Sequence, residues 1–157
     1  MGAVFVSLAL FAPVSGEVHQ LPEKDPIATV TIPDGWKTVR SRKGIEVVSA
    51  DLQFRLEVAS AGAKVAEALS EELRNIKGRG VAIDAQSRKQ TEATVDGRRR
   101  IGISWEAKNK RGPIRIVATL VTLAKHKHVL LVYYASLVAE KKHEADMALI
   151  IQSVKPT

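Results

Sequence analysis

Two histidines separated by one residue, His126 and His128, are the chain's obvious metal candidates. On an extended strand, residues two apart share a face, which suits two imidazoles on one zinc or copper ion. Lys125 and Lys127 flank them and repel a cation, and His19 and His143 are the only other histidines. A solvated turn is therefore the expectation, with no metal and no cofactor. His143 lies four residues before Met147, on the edge of an apolar helical stripe, and reads as a half-buried amphipathic residue. No serine nucleophile with an acidic partner stands beside it in sequence, although triad members need not be sequence neighbours. Gly78-Arg79-Gly80 has the glycines of a phosphate loop but follows a helical pattern and lacks the Gly-Lys-Ser/Thr step, so it reads as a helix end. Glu71-Glu72 falls on a solvated helix side, and Glu57 and Glu106 stand alone on strands.

The basic clusters are the remaining candidates. Arg98, Arg99 and Arg100 open one strand, Lys110 and Arg111 occupy the loop at its far end, and Arg40, Arg42 and Lys43 lie in an earlier loop. Charges near turns commonly serve solvation and edge protection. The functional expectation is an anion-binding surface, since Arg suits phosphate and carboxylate recognition. The first two clusters lie roughly 33 Å apart along the strand. Only an extended partner could bridge that distance: an anionic surface, an anionic polymer or a protein face.

The composition bounds the rest. At 157 residues and 45% hydrophobic, the chain is one domain with a real core, and disorder is excluded. Aromatics are 4%, too few for a stacking surface for single-stranded nucleic acid, so no specific nucleic-acid partner is expected. There is no cysteine, which removes thiol catalysis, disulfides, cysteine zinc sites and a lipidated N-terminal cysteine. The net charge of +7 favours acidic partners or anionic surfaces. Ala3 to Ala12 is an apolar or small run of signal-peptide length, about half a bilayer span, and Pro13 then breaks it. The expectation is an exported, periplasmic or secreted protein without a transmembrane span, cleaved after Gly16. The flaw is that no Lys or Arg precedes the run. A short strand or core helix is the alternative.

Residues 17–26 read as an extended leader bracketed by Pro22 and Pro26, and residues 27–157 as a single α+β domain. Ile27 to Ile32 and Ile45 to Val48 read as short strands. Leu52, Phe54, Leu56 and Val58 alternate with polar residues, predicting a strand with one wet face. Val65, Leu69, Leu73 and Ile76 then follow helical spacing, with Ser60 or Gly62 to open the helix and Gly78 to close it. Strands follow at Val81 to Ala85, at Glu92 to Val95 and, after an Asp96-Gly97 turn, at Arg100 to Lys108. Ile114 to Leu123 and Val129 to Val138 are nearly continuous apolar runs, predicting central strands covered on both faces. A helix over residues 139–154 closes the chain.

This pattern resembles the PsbP-like superfamily. The likeness lies in Ile32-Pro33-Asp34-Gly35-Trp36, in Ser60-Ala61-Gly62-Ala63 before the first helix, in the hairpin after Asp96-Gly97, and in the closing Ile151-Gln152-Ser153-Val154-Lys155-Pro156. The resemblance covers Ile27 to Pro156. It implies an antiparallel β-sheet sandwiched by helices, an α/β/α sandwich. Its members mostly bind other proteins, and it carries over no functional residue. The favoured reading is a non-enzymatic, exported cell-envelope accessory protein. It would bind another envelope protein or an anionic surface through its sheet or hairpins. The alternatives are a lipid or small-ligand carrier with a pocket between helix and sheet, and a cryptic hydrolase. The sequence does not bear on oligomeric state.

Overall fold

The computed structural model describes residues 15–157. The apolar run and Pro13 lie outside these described residues. The strands are β1 (Gly16–Leu21), β2 (Ala28–Pro33), β3 (Lys37–Arg40), β4 (Gly44–Val48), β5 (Arg55–Ala61), β6 (Ala82–Ile83), β7 (Lys89–Val95), β8 (Arg98–Asn109), β9 (Gly112–Ala124), β10 (Lys127–Ser136) and β11 (Lys155–Pro156). The helices are α1 (Val65–Gly78) and α2 (Leu137–Ser153). A small sheet has the order β1-β2-β11. The large sheet runs β3-β4-β5-β10-β9-β8-β6, with β7 also paired to β8, and every pairing is antiparallel.

The two long apolar runs do become the central strands, β9 and β10. Successive side chains of a strand point to opposite faces, and β10 divides accordingly. Val129, Leu131 and Ala135 join a core cluster with Ala139, Met147 and Ile150 of α2 and with the small sheet. Leu130 and Val132 join a second cluster with Ile76 of α1 and with Trp105 and Ile116 of the long hairpin. The run expected to stay extended to Val138 turns helical at Leu137, because Ser136 accepts a bond from the Ala139 amide and caps α2.

Several expectations are corrected. The segment read as a leader is part of the fold: β1 lies along the whole of β2, from Gly16 opposite Pro33 to Leu21 opposite Ala28. Its inward residues are His19 and Leu21, while Val18 points outward, so hydrophobic alternation conceals the strand. Leu52 does not belong to β5. It sits in a turn with φ 61°, and the strand begins at Arg55. The β5 face expected to be wet is partly covered by α1, and Glu57 is half-buried there. Helix α1 starts after Lys64 with no side-chain cap, while Ser60 belongs to β5. Its left-handed closing residue is Gly80 (φ 87°), two positions beyond Gly78. Leu69 and Leu73 are only half-buried, and Ile76 is the one fully buried residue of α1.

Candidate functional site

The expected basic surface separates into unlike parts. Arg98 and Arg100 share one face of β8, with Arg100 opposite Val121 of the α2-side cluster, and Arg99 points to the other face. The Arg98 guanidinium donates to the Val154 carbonyl at 3.4 Å, at the end of α2. Arg99 donates twice to the Glu92 carboxylate of β7, at 2.5 and 3.1 Å. That pairing raises the Arg99 pKa and lowers that of Glu92. The Nε of Arg100 is enclosed with no partner among the described residues. The triplet therefore does not form one electropositive face, because strand alternation and local pairing divide it. Lys110 and Arg111 sit at the opposite end of β8, in the two-residue turn between Asn109 and Gly112, and are exposed. Asn109 shapes this turn by accepting the Arg111 amide at 2.8 Å.

His126 and His128 are not the matched pair that an extended strand would present. His126 occupies the β9–β10 turn in the left-handed region (φ 59°), and the register shifts between Lys127 and His128. The His128 Nδ1 lies 3.1 Å from the Thr122 hydroxyl. Burial first, then His126 and Arg99, lowers the His128 pKa. Among the described residues, no three His, Cys, Asp or Glu side chains gather to hold a metal ion.

His143 is more deeply set than its sequence position suggests, at 8% exposure. Its ring packs edge-on to Trp36 at 5.4 Å and lies against Phe54 at 5.6 Å. Its Nε2 lies 3.0 and 3.2 Å from the two Asp51 oxygens. Asp51 also accepts from Lys142 at 2.7 Å, from the Ser49 hydroxyl at 2.5 Å and from the Gln53 amide at 3.1 Å. These donors, Lys142 first, hold its carboxyl well below the usual range. An ionised carboxylate only accepts, so Nε2 carries the proton. A hydroxyl, a carboxylate and an imidazole thus meet here, but in the wrong order for a nucleophilic relay, with the carboxylate between the other two. Ser49 is also 0% exposed and accepts the Phe54 amide at 3.1 Å, leaving its oxygen no path to a substrate. The network is a clasp between the 49–53 loop and α2. The 92-residue separation of Asp51 and His143 kept it out of sight in the sequence.

Among the depressions of the surface, three lie against the sheet and its helices. A groove of about 720 Å³ runs between α2 and the open face of β8–β9. Across it, Arg115 bonds Glu140 at 2.8 Å and the Tyr133 hydroxyl donates to the same carboxylate at 2.9 Å. A second depression, of about 380 Å³, lies under α1 and includes Lys43, Glu57, Glu71, Glu72 and Asn75. Burial, with Glu72 and Glu46 nearby, pushes Glu57 up to about 7, and Glu72 is raised by burial as well. The third, of about 590 Å³, lies at the hairpin end of the sheet. It brings Arg111 together with Leu52, Arg55, Pro113 and Val138.

No protein-family model matches the chain, and no curated protein matches it. Solved structures do resemble it over most of its length. Cyanobacterial PsbP (CyanoP) from Synechocystis sp. PCC 6803 superposes with a TM-score of 0.62 at 10% identity, covering 99% of this chain and 100% of that one. LpqN of Mycobacterium tuberculosis, described as involved in cell envelope biogenesis, superposes with a TM-score of 0.54 at 13% identity, covering 90% and 91%. The chain is thus an α+β protein of antiparallel sheets and two helices. Its fold is PsbP-like. At these identities the fold alone is shared.

Proposed function

We propose that the protein is a non-enzymatic accessory protein of the bacterial cell envelope, exported and acting through a binding surface. The carrying observation is the likeness, over nine-tenths of the chain, to a structure described by its part in cell envelope biogenesis. The apolar run from Ala3 to Ala12 supports export. No helix among the described residues is long and apolar enough to cross a membrane. We read the helices as covering the two faces of the large sheet at its central strands, which leaves its edges, its hairpin ends and the β7–β8 side open to a partner.

The other readings have no observation in their favour. The depression under α1 is walled by carboxylates, unlike a closed apolar ligand pocket. The Ser49–Asp51–His143 group is connected in an order that activates no nucleophile. Fractionation of the native host, with intact-mass measurement of the recovered protein, tests the proposal. Recovery from the envelope or periplasm, with the N-terminal run removed, is expected. A cytosolic species retaining Met1 would contradict it.

A further inference from the structure

The hairpin end of the large sheet is assembled from three segments distant in sequence: the Lys110–Arg111 turn, the loop before β5, and the first turn of α2. Around its depression stand three large aliphatic side chains in water, Leu52 (67% exposed), Leu137 (47%) and Val138 (77%). Scattered exposed aliphatics need no explanation. Here Leu52 and Val138 line one depression, with Leu137 next in the chain. Leu52 is also held in the left-handed region (φ 61°), which residues other than Gly, Asn and Asp avoid. Its loop is not slack. The Leu52 amide donates to the Ser49 carbonyl at 2.9 Å, and Asp51 next to it is clasped by Lys142 and His143. The fold therefore fixes an apolar side chain outward, in a conformation unfavourable for its type.

The unpaired charges beside these aliphatics, Lys110 and Arg111, are both positive. Lys110 and Arg111 form no ion pair among the described residues, whereas the nearby acids are all engaged. Glu46 pairs with Arg55 at 2.8 Å, Asp51 with Lys142 at 2.7 Å, and Glu140 with Arg115 at 2.8 Å. Protruding aliphatics beside a turn carrying two unpaired cations match the boundary between anionic headgroups and acyl chains. A protein partner would need pockets shaped to each tip, while a lipid layer accepts them without such shaping.

We propose that this end face docks the protein onto an anionic lipid surface, with Leu52 and Val138 entering the headgroup layer and Lys110 and Arg111 meeting its phosphates. The proposal rests on the envelope reading above. It assigns the binding surface to the hairpin end and leaves Arg98, Arg99 and Arg100 out of it.

Co-sedimentation of the whole protein with vesicles tests this directly. One set mixes phosphatidylglycerol with phosphatidylcholine, and the other is phosphatidylcholine alone. Binding to the anionic set at low salt is expected, falling steeply near roughly 1 M salt, where the screening length is about 3 Å. Each juxtamembrane positive charge lost should weaken binding roughly fivefold, so Lys110→Glu with Arg111→Glu should weaken it at least about twentyfold. Leu52→Asn with Val138→Ser should weaken it roughly tenfold. Asn tolerates the left-handed turn, so this variant retains the fold, which an unshifted or raised Tm verifies. Arg99→Ala should bind as wild type does. The proposal is overturned if wild type ignores the anionic vesicles at low salt, if both double variants bind undiminished, or if Arg99→Ala loses as much as they do. Capture of a protein at position 52 without any vesicle binding overturns it equally. A cytosolic location in the host would instead sink the envelope reading and leave the vesicle result standing.

Discussion

Replacing Glu57 by Gln should make the protein more stable at neutral and alkaline pH while changing little in acid. Glu57 lies on β5 directly opposite Glu46 of β4, with Glu72 of α1 in the same pocket. Arg55 is committed to Glu46 at 2.8 Å, and Arg79 shares the pocket without an ion pair to Glu57, its charge offsetting only part of the shift. The direct contact left to Glu57 is the Ser41 hydroxyl at 3.0 Å. Burial first, then the neighbouring carboxylates, pushes it from 4.5 to about 7. A folded-state pKa above the unfolded one favours the folded state fully below pH 4.5. That contribution is then lost as pH rises from 4.5 through about 7, since the unfolded chain ionises first. At about 1.4 kcal/mol for each tenfold step the full loss is about 3.5 kcal/mol, and residual solvent contact reduces the expectation to roughly 2 kcal/mol. Gln keeps the shape and can still accept from Ser41, but it never ionises. Urea unfolding of both proteins at pH 4 and pH 8.5 measures the difference. Wild type should fall about 2 kcal/mol behind Glu57→Gln on going from acid to base. Parallel profiles within about 0.5 kcal/mol would show that Glu57 is solvated in the folded state and that α1 does not cover it.

Ile76→Ala should cost about 2–4 kcal/mol and Leu73→Ala about 1 kcal/mol, because Ile76 is enclosed and Leu73 half-exposed; equal losses in denaturant titrations would refute this packing of α1. Leu52→Asn should raise stability by about 1 kcal/mol, since it relieves a left-handed leucine; a fall in Tm would mean that Leu52 is positioned by contacts rather than strained. Melts with and without a strong chelator should coincide, as the described residues bring together no metal-ligand set; a clear fall on chelation would reopen the case for His126 and His128.

What the sequence reveals depends on whether a residue's neighbours in the chain decide its environment. Val65, Leu69, Leu73 and Ile76 have helical spacing and do form one face of α1, and the two continuous apolar runs do lie at the middle of the sheet. Period and length suffice there. They fail where a polar residue occupies the core. His19 is buried in β1 while Val18 faces water, so the strand looks like a leader. They fail again where an apolar run crosses an element boundary. Ser136 caps α2 and diverts Leu137 and Val138 from the strand into an exposed first turn. Lys110 and Arg111 were legible as an exposed basic turn. Their grouping with Leu52 and Val138 was not, because it depends on three distant segments meeting at one end of the sheet. The division of Arg98, Arg99 and Arg100 follows from strand alternation, but the partners that engage Arg98 and Arg99 come from β7 and the end of α2.

Photo-crosslinking in the living native host, from a probe placed separately at position 52 and at position 96, addresses the central claim most directly. Position 52 is on the proposed contact face, and position 96 is in the turn at the opposite end of β8. The account predicts crosslinks to envelope lipid or envelope protein from position 52 and little from position 96, with lipid the product favoured by the charge pattern. Crosslinks only to cytosolic proteins, or equal yields from both positions, would contradict it.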